Sequence, residues 1–247
     1  FKEVEDKEFI QSGFTEWGAS GLAGVWAENN TRRSIYNAFR RKETFATTGS
    51  RIKVRFFAGY DIDNALNEED PVAFAYSKGV TMGSDILESD GKSPSFLVWA
   101  LRDIKRAPLD RLQVIKGWTD ISGRTYEKVF DVACSWGIVP DPKTNRCANN
   151  GAKVNLENCE ISKNVGSNEL KTIWKDPEFD PTIKAFYYVR VLENPTCRWS
   201  TWDAIKSGNK PRSDIPLTIQ ERAWSSPIWY VPNFRGVTAA NILPDDV

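Results

Sequence analysis

Ala185-Phe186-Tyr187-Tyr188-Val189-Arg190-Val191-Leu192 is the stretch on which the fold turns. Aromatic and β-branched residues fill it, and Arg190 is its one charge. Such side chains suit a pleated, packed surface, so the stretch predicts the strongest strand of the chain. Phe96-Leu97-Val98-Trp99-Ala100-Leu101 is apolar on both faces and predicts a central strand. In Arg51-Ile52-Lys53-Val54-Arg55-Phe56 the apolar residues point one way and the cations the other, which predicts a strand with one wet face. Leu112–Lys116 and Tyr126–Val132 flank a Gly117/Gly123 turn region and predict a hairpin. A last strand is expected near Ala223 to Val231. Pro227 interrupts it, which places it at an edge or a bulge.

One helix precedes these strands. Asn30 or Thr31 caps it, Ile35, Ala38 and Phe39 share a face, and Arg40, Arg41 and Lys42 sit where the helix dipole favours cations. Residues 1–30 otherwise read as loop, with a glycine-rich stretch at 17–24 that permits close backbone approach. Residues 134–180 read as one long irregular insertion. The expected fold is mainly β: an antiparallel β-sandwich with one N-terminal helix.

Composition narrows the function. Lys+Arg and Asp+Glu both number 33, so no global field draws the chain to nucleic acid or acidic lipid. No apolar run approaches the roughly 20 residues of a membrane span. The sequence has no histidine, which removes Ser-His-Asp and Cys-His catalysis and histidine-ligated zinc. The start, Phe1-Lys2-Glu3-Val4, has neither the basic nor the apolar region of a signal peptide and no initiator Met, so it reads as a cut end. Cys134, Cys147, Cys159 and Cys197 are even in number and lack C-x-x-C spacing. They suit disulfides in a periplasmic or extracellular protein, the pairing being open; the alternative is four reduced, partly buried thiols.

Two stretches carry candidate chemistry. Asp176, Glu178 and Asp180 alternate and are weak calcium candidates, set against a reading as solvated turn residues. After the strongest strand, Arg190, Glu193, Arg198, Trp199 and Trp202 are substrate-binding candidates, because guanidinium forks suit phosphate or carboxylate and indoles suit stacking. The competing reading is a structural corner. In it Arg198 pairs with Glu193 or Asp203, the indoles pack under the sandwich and Cys197 is cross-linked. Of the ten tryptophans, Trp99 and Trp174 read as core, and Trp118, Trp199 and Trp202 as exposed.

Several longer words stand in a fixed order: Gly21-Leu22-Ala23-Gly24-Val25-Trp26-Ala27-Glu28-Asn29-Asn30-Thr31, Arg40-Arg41-Lys42-Glu43-Thr44-Phe45-Ala46-Thr47-Thr48-Gly49-Ser50-Arg51-Ile52, Leu109-Asp110-Arg111-Leu112-Gln113-Val114-Ile115-Lys116-Gly117-Trp118, Tyr187-Tyr188-Val189-Arg190-Val191-Leu192-Glu193-Asn194-Pro195-Thr196-Cys197-Arg198-Trp199-Ser200-Thr201, and Gln220-Glu221-Arg222-Ala223-Trp224-Ser225-Ser226-Pro227-Ile228-Trp229-Tyr230. From about residue 17 to residue 232 the chain resembles the bacterial family called domain of unknown function 3604. That family in turn resembles the polymerase-and-histidinol-phosphatase (PHP) superfamily, whose distorted barrel holds metal ions through His and Asp/Glu.

The resemblance implies that residues 1–50 are the last loop and helix of such a barrel. Residues 51–232 would be an appended β-sandwich bearing the Cys-containing 134–180 insertion, and 233–247 a C-terminal tail. It also implies divalent metal ions in a His-rich N-terminal portion of the same precursor. The family's His-rich metal motifs are missing here, so no cofactor is expected in this chain. The expected role is accessory: part of a metal-dependent hydrolase of phosphoesterase type, inactive alone. The alternatives are a β-sandwich module that binds carbohydrate or a protein partner, and a structural component of an assembly. The oligomeric state stays open.

Overall fold

A computed structural model describes residues 16–232. The expected tail at 233–247 and the first half of the expected N-terminal loop lie outside the described residues. In chain order the elements are β1 (Leu22–Val25), α1 (Arg32–Arg40), β2 (Thr44–Thr47), β3 (Lys53–Gly59), α2 (Pro71–Lys78), β4 (Val80–Thr81), β5 (Asp85–Leu87), β6 (Ser95–Leu101), β7 (Leu109–Thr119), β8 (Thr125–Cys134), β9 (Glu169–Lys175), β10 (Ala185–Glu193), β11 (Thr196–Cys197), α3 (Trp199–Lys206), β12 (Thr218–Ile219), β13 (Arg222–Ser225) and β14 (Ile228–Val231).

The fold is mainly β and antiparallel, with two facing sheets. The larger sheet is built on β10, which pairs with β7 on one side and with β13 and β14 on the other. β8 extends it beyond β7, and β2 and β1 extend it beyond β13. β5 adds a parallel pairing, against β14. The smaller sheet runs β4-β3-β6-β9.

Alternation explains how the layers meet. Tyr187, Val189 and Val191 of β10 and Leu112 and Val114 of β7 face Val54 and Phe56 of β3 and Phe96 and Val98 of β6 in one core. The ring of Phe96 lies 4.6 Å from Tyr187 and 5.7 Å from Phe56, tying the two sheets together. Each such ring, buried fully, contributes about 1.5–3 kcal/mol relative to exposure. β6 is apolar on both faces because its other face is also covered: Leu97 joins Phe57, Ile62, Ala65 and Ala75 in a second cluster under α2.

Several expectations need correction. Among the described residues there are three α-helices rather than one. α2 starts at an Asp70-Pro71 step: Asp70 accepts from the amides of Val72 and Ala73, and Pro71 spends no amide at the first helical position. The 134–180 insertion is shorter than expected, because residues 169–175 form β9, in which Leu170 and Trp174 turn toward the core. The glycine-rich 17–24 stretch is not all loop. Gly24 lies in β1, where a Cβ would stand 2.4 Å from the Phe45 ring, so only glycine admits that ring across the strand pair. Pro227 sits at neither a free edge nor a bulge. It divides β13 from β14 inside the sheet, and its carbonyl accepts from Gly83 at 2.9 Å. Trp99 is half-buried on the outer face of the small sheet, where its indole donates to Glu169 at 2.7 Å.

The expected hairpin is present as β7 and β8, with Gly117 inside the strand rather than in the turn. Thr31 caps α1. β1 and β2 are hydrogen-bonded into the large sheet through β13, so pairing continues across residue 50 between the first segment and the rest of the sandwich.

Candidate functional site

The described cysteines form two disulfides, Cys134–Cys147 and Cys159–Cys197. The first staples the start of the irregular segment to the end of β8. The second ties the same segment to the corner where β10 ends. That corner holds most of the substrate-binding candidates.

Arg198 and Trp199 work together there. Arg198 Nη2 donates to the carbonyls of Glu16 and Trp17 at 2.5 and 2.6 Å, and the Trp199 indole donates to the Trp17 carbonyl at 2.9 Å. Neither Glu193 nor Asp203 is the hydrogen-bond partner of Arg198 seen here, so the corner is structural in a different way from the one expected. It clamps the backbone that leads into β1. Trp202 lies one turn further, on α3. It is 39% exposed, with Lys206 Nζ 5.0 Å from its ring, so it does not pack under the sandwich.

Arg190 is elsewhere. On the outer face of the large sheet its Nε donates to Gln113 at 2.6 Å, and Gln113 Nε2 donates to Asp131 at 2.6 Å. Asp131 also accepts from Arg111, Arg146 and the amide of Cys147. Arg190 therefore belongs to a network that anchors the disulfide-stapled segment. Glu193, the last residue of β10, turns inward and is fully buried. Burial pushes its carboxyl up to about 8, with the Glu221 charge adding to the rise and the Ser50 hydroxyl opposing it.

The three calcium candidates are not gathered. Asp176 is buried and takes the Lys116 ammonium at 2.5 Å and the Tyr187 hydroxyl at 2.8 Å. Lys116 thus stands where a cation would, and its second partner is the Glu178 carbonyl at 2.7 Å. The Glu178 side chain pairs with Lys128, and Asp180 accepts from the amide and hydroxyl of Thr182. Burial, reinforced by the Asp176 carboxylate, raises the Tyr187 phenol far above its ordinary range, so it stays a donor. Among the described residues no group of three or more His, Cys, Asp and Glu side chains is placed to hold a metal ion.

Three surfaces stand out beyond these residues. One is the outer side of α1. Ala38 faces inward, but Tyr36 and Phe39 are 61% and 51% exposed and line an open 640 Å³ hollow with Arg32, Arg33 and Ile35. The second is an aromatic groove of 680 Å³ on the large sheet, lined by Trp118, Tyr126, Phe186 and Trp229. Phe186 lies over Gly117, where a Cβ would stand 2.2 Å from the ring. The third is a polar hollow where Asn150 donates to Asp110 and Asn194, and Gln220 donates to Asp110. The 3.6-residue spacing of Ile35, Tyr36 and Phe39 carried the first signal. The other two depend on long-range pairing that no local pattern shows.

The family described as Protein of unknown function (DUF3604) matches residues 2–232. The chain belongs to this family. All the described residues, from the Arg198 clamp to the Glu193 corner and the α1 surface, therefore lie inside the matched span. No curated protein matches the chain. No solved structure matches it.

Proposed function

We propose that this DUF3604 chain is the accessory, non-catalytic β-sandwich portion of a PHP-like metal-dependent hydrolase, and that it packs on the metal-binding portion through α1 and β1. The supporting observation is the outer side of α1. Tyr36 and Phe39 expose large apolar surface, and Trp17 (64%) and Leu22 (46%) in the neighbouring segment do the same. A surface helix ordinarily turns such residues inward, and contiguous apolar exposure of this kind marks an interaction site. The surface lies in the segment that the resemblance assigns to the end of a barrel. The Arg198 and Trp199 clamp on residues 16 and 17 fits the same role, since it fixes the direction from which the chain enters the sandwich.

Divalent metal ions, the water they activate and the scissile bond belong, on this reading, to the His-rich portion of the precursor. The chain's contribution is to stabilise and shape that portion. The two disulfides favour an oxidising compartment, periplasmic or extracellular. The test is size-exclusion chromatography of this chain mixed with the His-rich portion, produced separately. A one-to-one complex is expected, lost in Tyr36→Ser/Phe39→Ser. Persistence of the complex in that variant, or hydrolysis of phosphoesters by this chain alone with added Mn²⁺, contradicts the proposal.

The aromatic groove favours a second reading, a carbohydrate-binding sandwich. Trp118 and Tyr126 stack at 5.4 Å, and Phe186 and Trp229 meet at 5.0 Å beside Lys184, which gives flat rings for sugar faces and a polar rim. Binding on a glycan array that Trp229→Ala abolishes would support it.

A further inference from the structure

Among the described residues, the buried side-chain polar atoms without a hydrogen-bond partner are Ser50 Oγ, both carboxylate oxygens of Glu193, Glu221 Oε2 and Ser200 Oγ. All but the last belong to one place. The Glu193 amide donates to the Glu221 carbonyl at 2.9 Å, which sets these residues side by side across the end of β10. Thr48 exchanges hydrogen bonds with Arg222, and this brings the chain running out of β2, and Ser50 with it, to the same spot. Ser50 is 1% exposed and Glu193 is 0% exposed, and the Ser50 hydroxyl acts on the Glu193 carboxyl directly. Two further charges reach Glu193 from the segment after β6: Asp103, engaged by the amides of Arg51 and Lys105, and exposed Arg106.

We propose that Ser50, Glu193 and Glu221 form a binding site for a hard divalent cation of the calcium class. Leaving a buried carboxylate without any donor is among the costliest arrangements a protein interior can hold. Here the carboxylates of Glu193 and Glu221 lie side by side; the Ser50 hydroxyl is the one group that acts on Glu193 at hydrogen-bond range, and the charges of Asp103 and exposed Arg106 reach it from further out. An all-oxygen, net-negative set without N–H donors is what calcium prefers over a transition metal. A single proton shared between the glutamates satisfies only two of the orphan oxygens, whereas one cation satisfies all of them. With only two carboxylates the coordination is completed by water, which places the affinity on the order of 10⁻⁴–10⁻³ M, the class of extracellular calcium modules. The site is independent of the docking role proposed for α1.

The test is thermal melting and isothermal titration of the chelator-stripped chain with CaCl₂ and MgCl₂, in wild type, Glu193→Gln, Glu221→Gln and Ser50→Ala. Calcium at about 10 mM is expected to raise the wild-type Tm by roughly 3–10 °C. The shift should vanish in both glutamine variants and weaken in Ser50→Ala. Glu221 is partly exposed, so Glu221→Gln decides the matter if Glu193→Gln fails to fold. Absence of a calcium shift in wild type overturns the proposal, as does a shift that survives in Glu221→Gln. A wild-type Tm that ignores calcium but falls from about pH 5 to about pH 8 replaces the cation with a shared proton.

Discussion

Replacing Lys116 with methionine isolates the energetics of the sandwich interior. The Lys116 side chain is 7% exposed and that of Asp176 is 0% exposed, with 2.5 Å between ammonium and carboxylate. Methionine keeps the aliphatic length of lysine and removes only the charge and its donors. Asp176 then retains the Tyr187 hydroxyl, but its charge has no counterion inside the protein. The Glu178 carbonyl loses its donor as well. Breaking one side of a buried pair in this way costs about 3–5 kcal/mol, against a total stability of about 5–15 kcal/mol. For a domain of this size that is a Tm drop of roughly 6–20 °C. Urea unfolding of Lys116→Met, Asp176→Leu and the double variant closes the cycle. The double variant should lose clearly less than the sum of the singles, because removing both charges also removes the desolvation penalty. A loss under about 1 kcal/mol in Lys116→Met, with additive effects, would show that the pair is solvated and the reasoning wrong.

Arg198→Ala should leave urea stability within about 2 kcal/mol of wild type while speeding proteolysis near residues 16 and 17, because the clamp holds backbone carbonyls rather than core. Cys159→Ser/Cys197→Ser opens a 38-residue separation and Cys134→Ser/Cys147→Ser one of 13, so chain entropy predicts losses of about 4 and about 3 kcal/mol respectively in chemical denaturation. Gly117→Ala should cost about 1–3 kcal/mol and displace the Phe186 ring, readable as a changed near-ultraviolet circular dichroism spectrum.

Local pattern showed the main strands of the framework. The run at 185–192 read as the strongest strand and the run at 96–101 as a central one, apolar on both faces; both lie in sheet interiors. The hairpin was legible from its glycines and alternation. α2 was missed although its signal was present, since Asp70-Pro71 is a cap followed by the residue best suited to the first helical turn. β9 was hidden because a disulfide-bearing irregular segment precedes it and its alternation, Leu170 to Trp174, is short.

The candidate site divides in the same way. Arg198 and Trp199 were found from composition at a strand end, yet their partners are main-chain carbonyls of residues far away in sequence, which carry no side-chain signature. The calcium reading of Asp176 failed for a similar reason: the cation that meets it, Lys116, arrives from β7 across the sandwich. Glu193 was singled out, but the orphaned state of its carboxylate emerges only once Ser50 and Glu221 are brought beside it.

The account centres on the outer side of α1 as the face that meets the metal-binding portion of a longer precursor. Hydroxyl-radical footprinting reads side-chain access at Trp17, Tyr36 and Phe39 one residue at a time, in the isolated chain and in the intact precursor. Strong oxidation of all three in the chain, with Tyr36 and Phe39 shielded several-fold in the precursor while Trp202 stays reactive, is the expected result. Equal oxidation of Tyr36 and Phe39 in both proteins would contradict it.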